Sequence, residues 1–353
     1  MMDSQQHIRG RGAQHHPSNQ FLKQAISLEE DTAIDEYTHL DKPATQIFYE
    51  SPRKIVNKVT SPDVGMDYSL NPYQGCEHGC VYCYARTTHE FWGYDAGLDF
   101  ESKIIVKKNA ASLLEKELLK PGWKVKPIVL SGNTDCYQPL EQKLRITRSL
   151  LEVFAKYRHP VGIITKNVAC LNDLDVLKDL AADNLVRVIF SITSLDENLR
   201  AKLEPRTASA KKKLEAIEIL SQNNIPVSVM TAPIIPGLNH HEIPSIIEAA
   251  TQRGAINAGY TVVRLNGAIK DVFSKWLQTH FPDRYHKVWA GIASLHGGEV
   301  NDSVWKSRMR GAGPEADIIK QLFEAAKKKY MDGGKEIRLD TTKFRKGGNY
   351  KLF

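Results

Sequence analysis

The sequence predicts an α/β fold, a partial or complete barrel of alternating strands and helices. Six short runs rich in β-branched residues are continuously apolar, the pattern of strands buried on both faces in a parallel sheet. Between them lie segments whose apolar residues recur at helical spacing, as crossover connections require. Periodicity alone leaves an open doubly wound sheet as the alternative.

Residues 1–65 read as an N-terminal extension. They are polar, carry Arg-Gly-Arg-Gly at 9–12, and contain Pro17, Pro43, Pro52 and Pro62. Loops and short elements that wrap a core or stay mobile are expected there. A core follows over 66–270. Its first strand, Asp67–Tyr73, leads into a cysteine-rich loop. Further strands are expected at 127–131, 161–165, 186–191, 227–231 and 260–265. Helices are expected at 146–157, with apolar residues at 146, 150, 153, 154 and 157, and at 171–182, 211–222 and 242–251. The last region, 271–353, reads as helical, with an amphipathic helix over 316–330 and a basic tail. In such a barrel, chemistry sits at the C-terminal strand ends.

Composition narrows the class. Of 353 residues, 42% are hydrophobic and 25% charged, enough for a sizeable core. No run of eighteen apolar residues exists, so no membrane span is expected. The N-terminus lacks the apolar stretch of a secretory signal. Five cysteines, three of them clustered, argue against a disulfide framework and point to a reducing cytoplasm. The net charge is +7, and residues 320–353 hold ten Lys/Arg against four Asp/Glu. A basic tail could meet phosphates, making nucleic acid a candidate partner. A solvated face is the plainer reading of that tail, and of Lys211-Lys212-Lys213.

The cysteine run carries the chemistry. Cys76, Cys80 and Cys83 have the spacing C-x3-C-x2-C, with Gly75 and Gly79 to let the loop bend. A closed cluster or structural zinc site wants four protein ligands. Three thiolates hold three irons of a [4Fe-4S] cluster and leave the fourth open to bind something else. The alternatives are a zinc site completed by His78, or three unrelated buried cysteines. His78 sits between two of the cysteines, too tightly spaced for a comfortable tetrahedron.

This motif, with Tyr82 just before the last cysteine, resembles the signature of the radical S-adenosylmethionine superfamily. Several segments are similar to its spore photoproduct lyase-like branch: Asn71-Pro72-Tyr73-Gln74-Gly75-Cys76, Tyr82-Cys83-Tyr84-Ala85-Arg86, Ser131-Gly132-Asn133-Thr134-Asp135, Tyr137-Gln138-Pro139, Thr165-Lys166, Ser191-Ile192-Thr193, Glu204-Pro205-Arg206 and Ala232-Pro233-Ile234-Ile235-Pro236-Gly237. The resemblance spans about 66–270. The chain looks like a member with an N-terminal Arg-Gly-Arg-Gly extension.

The resemblance implies a partial (β/α)6 barrel of the radical-SAM type. It also implies a [4Fe-4S] cluster whose open iron is chelated by S-adenosylmethionine (SAM). One electron would split the sulfonium, giving methionine and a 5′-deoxyadenosyl radical, with the cofactor carrying the chemistry. A reducing partner such as a flavodoxin or ferredoxin would be needed. Candidate roles then fall on strand ends. Asn133 and Asp135 could meet the amino group or ribose of SAM. Lys166 and Ser191 could meet its carboxylate, with Arg206 as a second carboxylate candidate. Ile235 could pack on adenine. Tyr82 could shield the cluster or touch the adenine, and Tyr84 could relay a hydrogen atom. Each could instead be a cap, a turn or packing. Cys136 is a candidate hydrogen donor, but it follows Asp135, where the lyase carries its donor cysteine ahead of the equivalent aspartate. Cys170 reads as core, and Trp276, Trp289 and Trp305 as packing.

The expected function is radical chemistry on a nucleic-acid base lesion or modified base. The rivals are the same chemistry on a peptide, nucleoside or small metabolite, and an iron–sulfur protein that only passes electrons or senses oxygen.

Overall fold

The structure, a computed structural model, describes residues 8–21, 44–331 and 338–347. The strands are β1 (Gln46–Tyr49), β2 (Val56–Lys58), β3 (Tyr68–Leu70), β4 (Tyr73–Gln74), β5 (Lys103–Val106), β6 (Ile128–Leu130), β7 (Val161–Thr165), β8 (Val186–Ser191), β9 (Val227–Ile234) and β10 (Asn257–Val262). The helices are α1 (Leu98–Ser102), α2 (Ala110–Leu118), α3 (Glu141–Leu144), α4 (Ile146–Tyr157), α5 (Leu174–Ala182), α6 (Glu197–Leu203), α7 (Ala210–Gln222), α8 (Ile243–Thr251), α9 (Ile269–His280), α10 (Tyr285–Leu295), α11 (Ser307–Arg310) and α12 (Pro314–Met331).

The main sheet has the order β10-β9-β8-β7-β6-β3-β2. Neighbours from β3 to β10 are parallel, and only the edge strand β2 is antiparallel to its neighbour. Helices intervene between successive parallel strands, as the connection rules for parallel pairs require. The six parallel strands are the six apolar runs of the sequence, and the sheet's two edges do not pair, so the α/β fold is a partial barrel. The interior is apolar: Val161, Ile163, Val186, Val188, Phe190 and Val229 are fully buried. Helix α4 covers the sheet with Ile146, Leu150, Leu151, Phe154 and Tyr157. Truncating Phe154 to Ala would open a void costing ~3–5 kcal/mol.

Two expected elements change. The strand expected over 67–73 is two strands, because Pro72 has no N–H to give a ladder. Leu70 ends β3 in the main sheet, and Tyr73 begins β4, which pairs with β5 in a separate small sheet of order β1-β5-β4. The last strand begins earlier than expected, at Asn257, because Asn257-Ala258-Gly259 carries no β-branched residue to mark it. Residues assigned to the extension also reach the main sheet, since Val56–Lys58 forms its edge.

At the other end of the chain, α12 packs on α8 and buries Ala316, Ile319, Phe323 and Ala326. The tail then returns along the barrel. Asp340 N donates to Asn184 O (2.9 Å) and Arg345 N to Tyr157 O (2.9 Å). Both acceptors precede strands, so this part of the tail lies at the N-terminal end of the sheet. Among the described residues, no helix is long and apolar enough to cross a membrane. Lys213 departs from its expected solvated place and is buried, while Trp305 is 60% exposed rather than packed.

Candidate active site

Strand β4 delivers the chain into the cysteine loop, and the loop's backbone is held from several sides. Cys76 N donates to Phe100 O (2.9 Å), Glu77 N to Gln138 Oε1 (2.9 Å) and Val81 N to Leu203 O (3.1 Å). Arg86, fully buried, donates from Nε to Cys80 O (2.9 Å) and pairs with Glu101 through Nη2 (2.5 Å). Cys76 and Cys80 are buried, Cys83 is half-buried, and all three are free thiols. Burial pushes the Cys83 thiol up to about 11 and raises the Cys80 thiol well above its ordinary value. A buried thiolate is costly without a cation, so this donor set suits a metal centre.

The Arg-Gly-Arg-Gly segment lies across the back of the same loop. Gly12 N and Ala13 N donate to the two Glu101 carboxylate oxygens (3.0 and 2.8 Å), and the Arg11 guanidinium donates to Glu101 O. Gly12 has no room for a side chain, because a Cβ there would sit 1.8 Å from Gly79 O. Gly79 itself has φ +68°, a conformation that favours glycine. His16 and Asn19 continue the strap, with His16 Nδ1 2.6 Å from Asp95 Oδ2 and Asn19 Nδ2 donating to Glu90 O (2.9 Å).

In front of the loop lies a cavity of about 560 Å3 at the C-terminal strand ends. All three motif cysteines line it, with Tyr82, Tyr84, Asn133, Asp135, Lys166 and Ser191. Lys166 Nζ donates to Glu204 Oε1 (2.9 Å), Thr193 Oγ1 (3.2 Å) and Ala232 O (3.3 Å). Glu204 also accepts from Tyr82 OH and Thr193 Oγ1, and its other oxygen pairs with Lys213 (3.4 Å). Burial opposes the Glu204 charge, but the two lysines outweigh it and hold its carboxyl well below the usual range. Burial likewise opposes the Lys166 ammonium, and Glu204, with Cys80 and Asp135, more than restores it.

Asp135 is spent on structure. It accepts from Thr165 Oγ1 (2.8 Å), Lys166 N (2.8 Å) and Tyr137 N (2.8 Å), and faces His78 Nδ1 at 3.4 Å. Burial disfavours the His78 cation, yet Asp135 and Cys76 together outweigh it and push its pKa up to about 10. Asn133 N donates to Asn71 Oδ1 (2.9 Å), and its amide donates to Thr88 Oγ1 (3.3 Å). Tyr84 OH donates to Gly132 O.

Three expected site residues are elsewhere. Cys136 is fully buried in the main core and does not line the cavity, because the turn after Asp135 directs it inward. Arg206 pairs with Glu77 (3.2 Å) outside the cavity. Ile235 is fully buried in the apolar cluster that includes Cys80, Val81 and Tyr82, behind the cavity wall. Conversely, Arg264 was not marked by any motif, Glu204 and Thr193 stood in family-like segments without a role of their own, and Lys213 was expected to be solvated. A charged residue in an otherwise apolar helical stripe, as Lys213 is before Leu214 and Ile217, was the available signal.

Residues 70–250 match the profile of the Radical SAM superfamily. The chain belongs to that superfamily. An uncharacterized protein of Mycobacterium tuberculosis is 29% identical over 241 residues, 67% of this chain and 70% of that one. An uncharacterized protein of Methanocaldococcus jannaschii is 28% identical over 233 residues, 66% of this chain and 83% of that one. Among solved structures, a spore photoproduct lyase complexed with dinucleoside spore photoproduct aligns with a TM-score of 0.60 at 15% identity, over 81% of this chain and 80% of that one. At that identity the likeness speaks for the fold. Membership in the radical SAM superfamily implies a [4Fe-4S] cluster and SAM, and the three free thiols on one cavity wall fit that donor requirement.

Proposed function

We propose that this chain is a radical SAM enzyme in which Cys76, Cys80 and Cys83 hold a [4Fe-4S] cluster and SAM occupies the adjacent cavity. When bound, these cofactors supply reductive cleavage of SAM and a 5′-deoxyadenosyl radical. The observation that carries the reading is the convergence of the three free cysteines and Lys166 on one cavity at the C-terminal strand ends. The cavity size suits a cofactor-sized ligand. The chain's own contribution is to bind, orient and exclude water. Asn133 and Ser191 are proposed to orient the methionyl and ribose groups. Lys166 is proposed to meet a carboxylate by exchanging its Thr193 or Ala232 contact, since its charge is already paired with Glu204. Tyr84, beside Cys83, is proposed to relay a hydrogen atom.

For the substrate, we propose lyase-type chemistry on a modified or damaged nucleic-acid base. The fold likeness to a lyase bound to a dinucleoside photoproduct supports this choice. The core position of Cys136 argues against a thiol donor at that point, so repair of that same photoproduct is not proposed. A nucleoside or small metabolite is the second reading, favoured by the described part of the basic tail, which lies at the far end of the sheet from the cavity. A reductant such as a flavodoxin or ferredoxin would supply the electron.

The test is anaerobic reconstitution, reduction, and mass spectrometry of 5′-deoxyadenosine in deuterated substrate pools of irradiated DNA, RNA and metabolites. Deuterium transfer from a nucleic-acid pool supports the first substrate reading, and transfer only from metabolites supports the second. Reduction without any 5′-deoxyadenosine would leave an electron carrier or sensor.

A further inference from the structure

The charges on the cavity wall do not balance. Lys166 is neutralised by Glu204, and His78 by Asp135. Arg308 is spent on Asp63, with Nη2–Oδ1 at 2.6 Å and Nε–Oδ2 at 2.7 Å. Two guanidiniums remain. Arg264, just beyond the end of β10, stacks over the Tyr84 ring at 5.5 Å. Arg310, in α11, lies over the Tyr260 ring at 4.0 Å. Both line the cavity, and neither forms an ion pair among the described residues. No unpaired carboxylate lines the cavity to offset them, since Asp63 and Asp135 are both engaged.

Arg264 is the more telling of the two. It is partly desolvated, and burial, then the nearby Arg308, lower its pKa. A half-buried guanidinium without an anion is an unfavourable arrangement unless a ligand completes it. A [4Fe-4S]2+ cluster on three thiolates would carry one negative formal charge, held at the cysteine loop, and SAM chelated through its amine and carboxylate would add none. Arginine over an aromatic ring keeps its in-plane N–H donors free for an oxyanion. Asp63 and Arg308 tie the loop before β3 to α11, which also carries Arg310, so the surplus charge is held in place.

We infer that the substrate of this cavity carries an oxyanion, a phosphate or a carboxylate, held by Arg264 and assisted by Arg310. This deepens the radical SAM reading, on which it rests for the identity of the cavity's other occupant. Arg264 then fixes the oxyanion end of the substrate beside Tyr84.

The test uses reconstituted, SAM-loaded enzyme and calorimetric titration at low ionic strength. The probes are inorganic pyrophosphate and malonate. Saturable binding of at least one is expected, weakened ~10–100-fold in Arg264→Gln, as for loss of a charge-assisted hydrogen bond. Arg264→Lys should lose less, and Arg310→Gln should lose a smaller factor. Lys178→Gln, exposed on α5 and away from the cavity, should bind as wild type. Tighter pyrophosphate assigns a phosphate substrate, and tighter malonate a carboxylate. No saturable binding of either probe overturns the inference, as does unchanged affinity in the folded Arg264→Gln/Arg310→Gln double variant. Failure of the wild type to cleave SAM would instead overturn the radical SAM reading, and the anion titration would stand apart from it.

Discussion

Removing the Glu204 charge should destabilise the protein through the two lysines it neutralises. Glu204 is fully buried and pairs with Lys166 at 2.9 Å and Lys213 at 3.4 Å. In Glu204→Gln both ammoniums lose their carboxylate. Breaking a buried pair by deleting one partner costs ~3–5 kcal/mol. For 353 residues, unfolding entropies of ~2.1 cal/mol/K per residue convert that to a Tm drop of about 4–7 °C. Differential scanning calorimetry of the apoprotein measures it. Being buried, the effect should survive high salt. Adding Lys213→Met should recover part of the loss, because one of the two unpaired charges is gone. The wild type has a pH signature as well. The Glu204 carboxyl is depressed in the folded state, so its stabilisation is present above the ordinary carboxyl pKa of about 4.5 and is lost as pH falls below it. A Glu204→Gln shift under about 1 °C, or no recovery in the double variant, would refute the reasoning.

Other perturbations test the site's supports. Gly12→Ala drives a Cβ against Gly79 O, and the overpacking should cost ~1–3 kcal/mol, read as a lower Tm and faster loss of cluster absorbance in air. Equal cluster lifetime in wild type and variant would count against a role for the strap. His16 has its pKa raised, first by its hydrogen bond to Asp95, so its anchoring is complete below about 6.5 and fades as pH rises through the folded value. Limited proteolysis near residue 16 should accelerate across that rise in wild type and be pH-independent there in His16→Gln. Asp63→Asn should free the Arg308 loop, giving faster hydrogen exchange at 304–311 with little change elsewhere. Unchanged exchange there would mean that the pair does not hold the loops together.

The parallel sheet was legible because buried strands advertise themselves as apolar runs, and Val161–Thr165 begins and ends where that run does. Tyr73–Gln74 and Lys103–Val106 were not, because short strands in a small sheet carry too few residues to set a period. The cysteines were legible because their chemistry lies in local spacing. Lys166 and Ser191 could be placed from strand ends, since C-terminal ends converge in this fold. Cys136 could not, because whether a residue just past a strand turns outward or into the core depends on the turn, here fixed by Ser131 Oγ accepting from Cys136 N (2.7 Å). Glu204 and Arg264 were hidden for a related reason. Their significance lies in which charges they meet across the fold, at separations such as the 38 residues between Lys166 and Glu204. The Arg-Gly-Arg-Gly segment read as polar chain, yet its glycine is small because another backbone passes beside it.

The central claim is that three cysteines hold a cluster whose open iron binds and reduces SAM. The most direct measurement is 5′-deoxyadenosine formed per reduced, reconstituted protein, in wild type and in Cys80→Ala. The account predicts product from the wild type and none above background from Cys80→Ala. Equal yields from the two proteins, or no product from a wild type shown to carry a full complement of iron and sulfide, would contradict it.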